Sequence, residues 1–295
     1  MILPLQANAK AKDGLDALQG EKICRYVKDR QNQDGGYTFA QWTGSSAQDT
    51  YFALEILQML GTAPDHREET TQFLEGLQNS DGSYESIKVA YYCTSALSNL
   101  HAKPLYDVTN FANSLKRSHG GFGSANADAE TSSEFETTYF ALFVLKSLDE
   151  IEQDRVARFI VERVNPDGTF GSGSGYSTLA SVHFAIASLE LLGCDVRSLK
   201  RTLEWLRRCE LRNGGFTNDP RDTFYLVLED TYYGLNSLRH LGVTPLYPQS
   251  TIQLVKQFQN GNGGFRRSIF MGISTFESTF HALSCLQILA SQIEA

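Results

Sequence analysis

The 295-residue chain has few cysteines, no long apolar run and fewer basic than acidic side chains. Its five cysteines (Cys24, Cys93, Cys194, Cys209, Cys285) are scattered, odd in number and never form Cys-x-x-Cys. That usage argues against a disulfide framework and for a reducing compartment. No stretch of about 18 apolar residues occurs, so no membrane span is expected. The first residues, Met1 to Ala7, lack the apolar core of a secretory signal. The net charge of −8 leaves the average surface unattractive to nucleic acid or anionic membrane. A cytoplasmic protein is the expectation.

What is present is a repeat. A helical stretch, a Gly-aromatic turn and a second helical stretch recur six times, with turns ending at Tyr37, Tyr84, Phe122, Phe170, Phe216 and Phe265. The aromatic positions lie 47, 38, 48, 46 and 49 residues apart, a spacing typical of repeat architectures. Repetition also lets residues 1–295 form one domain, which length alone leaves open.

The two helical stretches differ. Those before the turns are amphipathic, as in Leu74 and Leu77 or Ile252, Val255 and Phe258, and each is expected to stop at its turn glycine. Those after the turns, such as Asp49-Thr50-Tyr51-Phe52-Ala53-Leu54 and Asp230-Thr231-Tyr232-Tyr233-Gly234-Leu235, read as nearly uncharged beyond their first turn. A helix apolar nearly all round is buried, so the second set belongs inside the first. The small residues Ala53, Ala141, Ala185, Gly234 and Ala282 suggest close approach of neighbouring inner helices. No polar capping repeat is visible, so the last repeat is expected to close onto the first. The predicted fold is all-α, an α/α toroid (α6/α6 barrel) of six helix-turn-helix repeats.

Two sets of equivalent positions stand out. Acids recur at the start of the inner helices: Asp49, Glu136, Glu229, Asp230 and Glu277, with Lys88 the single base. In a closed ring they converge as an acidic rim that repels a diphosphate and suits a cation. Tyr51, Tyr91, Tyr139, His183, Tyr232 and Phe280 follow one turn later. They read either as packing between inner helices or as the wall of an apolar pocket that steadies positive charge through ring faces. His183 by itself reads as a hydrogen-bonded core residue. The loop Gly171–Gly175 is Gly-Ser rich and lacks the Lys-Thr/Ser context of a phosphate cradle, so it reads as a flexible linker. Arg266 and Arg267 in the sixth loop are the one plausible anion-binding spot near the rim.

The pattern Leu/Phe-x-x-x-Gln-x-x-x-Gly-Gly-Phe followed by Asp/Ser-Thr-Tyr-Tyr-Ala-Leu, clearest in Gln78–Tyr84 and Gln259–Phe265, resembles the prenyltransferase and squalene-cyclase repeat over essentially the whole chain. The resemblance implies an isoprenoid or other apolar small molecule in an aromatic central cavity. For the protein prenyltransferase β subunits it implies a zinc site, whose Asp and Cys positions fall here on Val227 and Glu229 and whose His position falls on Ser278. A register slip offers Asp230, Tyr232 and His281, still without a thiolate. No zinc and no other cofactor is therefore expected; magnesium stays open, with no motif to support it. The diphosphate pocket of those subunits falls on Thr178, Asp219 and Asp222, with Arg221 the single base. For class II terpene cyclases the resemblance implies an acid motif, Asp-x-Asp-Asp-Thr, which falls on Val227-Leu228-Glu229-Asp230-Thr231. Glu229 and Asp230 are then the candidate catalytic acids, although acids at a helix start also serve simply to meet its dipole. Three functions follow: an enzyme that processes an isoprenoid by acid-initiated chemistry, a toroid that binds a ligand or partner without chemistry, or a β-type subunit with a helical protein partner.

Overall fold

The computed structural model describes residues 17–40, 42–123, 134–146, 148–171, 178–218 and 226–293. Most of the Gly-Ser loop, together with Asp219, Arg221 and Asp222, lies outside the described residues. Twelve α-helices are found among the described residues. Six form the outer layer: α1 (Ala17–Lys28), α3 (Arg67–Gly76), α5 (Thr109–Ser114), α7 (Glu150–Val161), α9 (Lys200–Cys209) and α11 (Pro248–Gln257). The inner six are α2 (Ala47–Met59), α4 (Ile87–Asn99), α6 (Glu134–Leu145), α8 (Leu179–Leu191), α10 (Leu228–His240) and α12 (Phe276–Ile293). Each inner helix packs on the next inner helix, and α12 packs on α2. Each outer helix packs on the inner helix that follows it. The ring is closed, as the missing caps imply.

The turns explain the repeat's composition. The six turn aromatics are all buried, and Tyr37, Phe122, Phe170 and Phe216 expose no surface at all. Burying such a ring contributes about 1.5–3 kcal/mol, and six of them rival a typical net stability of about 5–15 kcal/mol. Their backbone amides lie out of reach of water and need partners. The amides of Tyr37, Phe122, Phe216 and Phe265 donate to the hydroxyls of Thr50, Thr138, Thr231 and Thr279 at 3.0, 3.1, 3.3 and 3.0 Å. This is why threonine precedes the aromatic in four of the inner helices. The turn acids Asp34, Asp81 and Asp167 accept the backbone N–H two residues on, which fixes the bend locally.

Two expectations about small residues change. The turn glycines do not cap the outer helices, which end several residues earlier. At Gly263 the backbone is left-handed (φ 94°), and a Cβ would lie 2.7 Å from the backbone of Lys22 in α1. The sixth turn therefore presses directly on the first helix, and the other five turns meet the next repeat in the same manner. Gly234 is small because of its own repeat's turn: a Cβ there would sit 2.4 Å from the Phe216 ring. The inner helices are also less apolar than expected, because Glu55, Lys146, Glu190, Arg239 and His240 cluster toward their C-terminal ends.

Replacing Thr50 or Thr279 by valine leaves a buried amide without an acceptor and keeps the side-chain shape. Each variant is expected to lose about 1–3 kcal/mol in denaturant unfolding. An unchanged midpoint would remove the hydroxyls from this role.

Candidate functional site

The lumen of the ring is two chambers separated by a waist. The waist is the predicted set Tyr51, Tyr91, Tyr139, His183, Tyr232 and Phe280, and all six side chains line both chambers. Their rings form a circuit. Tyr51 meets Tyr91 at 5.6 Å, Tyr91 meets Tyr139 at 6.1 Å, and Tyr232 meets Phe280 at 5.8 Å between centroids. Phe280 returns to Tyr51 at 6.4 Å, and Phe184 bridges Tyr139 to His183. These spacings and tilts are those of favourable edge and offset contacts. Burial pushes the phenols of Tyr51, Tyr91 and Tyr139 above their ordinary value, so they stay protonated hydroxyls. Burial, with the nearby His240 and Arg239 charges, holds His183 well below its ordinary value and keeps it neutral. Its Nδ1 has no hydrogen-bond partner among the described residues, which corrects the reading of His183 as a hydrogen-bonded core residue.

The chamber at the N-terminal ends of the inner helices is small, about 240 Å³. Lys88, Glu136, Glu229 and Glu277 line it, beneath a second tier of rings that includes Phe52, Tyr92 and Tyr233. Asp49 and Asp230 lie off this lining. Asp49 accepts the Phe39 amide at 3.4 Å, and Asp230 accepts Asn218 Nδ2 at 2.6 Å. The cause is helical geometry: these two acids follow the rim position by one residue, and one residue turns a side chain about 100° away from the axis. The remaining acids are mostly spoken for. Lys88 pairs with Glu136 at 3.2 Å and Arg267 with Glu229 at 2.9 Å. Glu277 has no such pair among the described residues, and burial, with Glu229 nearby, raises its carboxyl above the ordinary value. Burial likewise lifts Asp230, to about 6.

The expected anion spot in the sixth loop is not free. Arg266 donates to the carbonyls of Ser268 and Ile269 at 2.9 Å each and to Asn260 Oδ1 at 2.7 Å, so it holds the loop together. Arg267 is spent on Glu229. The residues at the family's zinc positions do not fit that metal. Val227 is buried and has no donor atom, Glu229 is ion-paired, and Ser278 offers a hydroxyl where an imidazole is needed. Among the described residues no group of three or more His, Cys, Asp or Glu side chains is placed to hold a metal ion.

The chamber at the C-terminal ends is larger, about 670 Å³, and sequence reasoning did not find it. Glu55, Ser95, Asn99, Lys146, Glu190, Asn236, Arg239 and His240 line it. Asn99 donates to Glu55 at 2.7 Å, and His240 pairs with Glu190 at 2.7 Å. That pairing holds the Glu190 carboxyl below its ordinary value. A signal was available. Seven residues after each waist residue stand Gln58, Ser98, Lys146, Glu190, Arg239 and Gln287, polar in every repeat, and the middle four line this chamber. Seven residues are two helical turns, so these positions recur on one face.

The raised Asp230 carboxyl has a consequence for stability. Between its ordinary value of 3.8 and about 6 the folded chain keeps a proton that the unfolded chain has lost. Stability therefore falls as pH rises through this window. Asp230→Asn, which still accepts from Asn218, is expected to unfold at a higher denaturant concentration than the parent at pH 7.5, with the gap closing by about pH 4. A gap that persists unchanged at pH 4 would remove the carboxyl as its cause.

Comparison with known proteins adds to this geometry. A family model, the prenyltransferase alpha-alpha toroid domain, matches residues 5–90, 85–225 and 227–295. The chain is 30% identical over 112 residues to the protein farnesyltransferase subunit beta of Schizosaccharomyces pombe, a match that spans 36% of this chain and 29% of that subunit's length. Its fold is similar to Candida albicans protein geranylgeranyltransferase-I complexed with GGPP, with a TM-score of 0.67 and 18% identity over 91% of this chain and 90% of that one. It is also similar to a variant of a type II terpene cyclase from Scytonema in complex with geranylgeranyl dihydroxybenzoate, with a TM-score of 0.66 and 12% identity over 96% and 99% of the two chains. Among the described residues, no helix is long and apolar enough to cross a membrane. With the family model matched along nearly all of its length and the six-repeat ring closed, the chain belongs to the prenyltransferase alpha-alpha toroid family.

Proposed function

We propose that the chain binds an isoprenoid in its lumen, with the apolar chain laid against the aromatic waist. The observation that carries this reading is the circuit of rings bordering a chamber of about 670 Å³. Small-molecule sites typically measure roughly 300–1,000 Å³ and are lined by apolar and aromatic side chains with a few polar groups. Proteins of similar fold hold GGPP and geranylgeranyl dihydroxybenzoate. The rings border both chambers, and their apolar surface suits a prenyl chain.

A second reading adds acid-initiated chemistry at the rim, where the resemblance points to Glu229 and Asp230 and where Glu277 is the unpaired carboxyl on the lining of the small chamber. One observation favours it: Asp230 keeps its proton to about pH 6, and Glu277, on the lining of the small chamber, is raised in the same direction. An acid that protonates an alkene must hold its proton at working pH and release it to carbon, leaving a carboxylate behind. The waist rings would then face the carbocation that forms.

Two measurements test these readings. Titration calorimetry with geranylgeraniol is expected to show saturable binding that Ala187→Phe, which puts a ring into the larger chamber, weakens by about tenfold or more. Equal binding by parent and variant would count against the lumen as the site. If a prenyl substrate is turned over, Glu277→Gln, on the chamber lining, is expected to slow it by roughly a hundred- to ten-thousand-fold. Binding without any turnover would leave the chain a ligand-binding module and end the acid reading.

A further inference from the structure

The residue after each waist position also borders the lumen. Phe52, Tyr92, Phe140, Phe184, Tyr233 and His281 come one from each inner helix; all six line the small chamber and none lines the larger. They form a second circuit, and this one closes without help from the waist. Phe52 meets Tyr92 at 5.7 Å, Tyr92 meets Phe140 at 6.3 Å, and Phe140 meets Phe184 at 5.7 Å between centroids. Phe184 meets Tyr233 at 5.6 Å, Tyr233 meets His281 at 6.0 Å, and His281 returns to Phe52 at 6.1 Å. With the waist, this collar gives the chamber a lining of ten Phe and Tyr side chains and no Leu, Ile, Val or Met. Branched aliphatic side chains exclude water and hold an apolar ligand as well as rings do. What rings add is attraction for a cation, and a cation in this space has π-systems on every side.

The charges of the lining favour the same ligand. Lys88 is held by Glu136 at 3.2 Å and Arg267 by Glu229 at 2.9 Å, which leaves Glu277 as the one carboxyl without an ion pair among the described residues of the lining. Burial and the neighbouring Glu229 raise that carboxyl, and a cation beside it offsets the cost. Glu277 stands one helical turn before His281 on α12, and both line the chamber. His281 is 4% exposed and forms no hydrogen bond with a described residue, so a buried polar side chain is left for a ligand to satisfy. Burial holds its imidazole down to about 3, and it adds no positive charge. Burial likewise raises the phenols of Tyr92 and Tyr233, which stay neutral. The volume, about 240 Å³, lies below the roughly 300–1,000 Å³ of sites for drug-sized ligands, so the ligand is compact. A hard metal ion does not suit the chamber, because it needs several oxygen ligands and one carboxylate is unpaired here.

We infer that the small chamber binds a small quaternary ammonium compound, held inside the aromatic collar with Glu277 as its counter-charge and His281 as the partner of a hydroxyl on the ligand. This inference does not rest on the isoprenoid reading, which concerns the waist and the larger chamber.

The test is a ligand-detected NMR titration of the full chain with choline and with 3,3-dimethylbutan-1-ol, a neutral compound of the same shape with carbon in place of the charged nitrogen. The parent is expected to bind choline about tenfold tighter or more. Glu277→Gln removes the counter-charge, and Phe52→Leu keeps an apolar side chain but removes a ring of the collar. Each is expected to cut the preference for choline by about threefold or more and to leave the alcohol within about twofold. Both ligands are measured on the same sample, so binding of the alcohol reports an intact chamber. The inference is overturned if neither compound binds the parent, if the alcohol matches choline, or if either variant keeps the full preference. A chain that prefers choline yet ignores geranylgeraniol would refute the isoprenoid reading and support this one.

Discussion

Each outer helix reaches its inner partner through a turn whose aromatic ring is buried in the seam between the two layers, and a buried ring brings a backbone amide with it. That amide is a donor out of reach of water, and leaving it unpaired would cost as much as the ring's burial supplies. In four repeats a threonine hydroxyl at the start of the inner helix accepts it. The hydrogen bond fixes how the inner helix is rotated about its axis. With that rotation set, the residue after the threonine points toward the lumen, and in all four it is aromatic: Tyr51, Tyr139, Tyr232 and Phe280. Four of the six waist residues are therefore a by-product of how the turn is satisfied.

This explains what was legible in the sequence. The Gly-aromatic turns, the inner and outer layers, the closure and the six waist residues all follow from one phrase repeated at a near-constant period. The rim was only half legible. Glu136, Glu229 and Glu277 face the small chamber, while Asp49 and Asp230, one residue later, turn away to loop atoms. Adjacent positions look alike in a string and are about 100° apart on a helix. The larger chamber was missed because its polar residues are spread through helices judged apolar by their first two turns. Its signal lies at a fixed offset of seven from the waist, where chemistry varies from repeat to repeat and polarity alone is constant.

The same ring thus carries unlike ends. Where the inner helices begin, acids and bases neutralise one another and a carboxyl is left over. Where they end, Glu190 and Glu55 are engaged, while the side chains of Lys146 and Arg239 pair with no described residue. The zinc positions implied by the family resemblance belong to the first end, and they hold Val227, Ser278 and an ion-paired Glu229.

The contact of Gly263 with the backbone of Lys22 also bears on how the chain folds. Because the sixth turn rests on the first helix as the first turn rests on the second outer helix, no seam in the ring is special. A linear array can fray from its ends, repeat by repeat. A ring that loses one repeat exposes the faces of both neighbours at once, so unfolding is expected to be a single cooperative event. The last seam joins residues nearly the whole chain apart, which makes it entropically the slowest to form. Equivalent seams also make the ring indifferent to where its backbone is cut, so circular permutation at any loop between repeats preserves every contact on which the lumen depends.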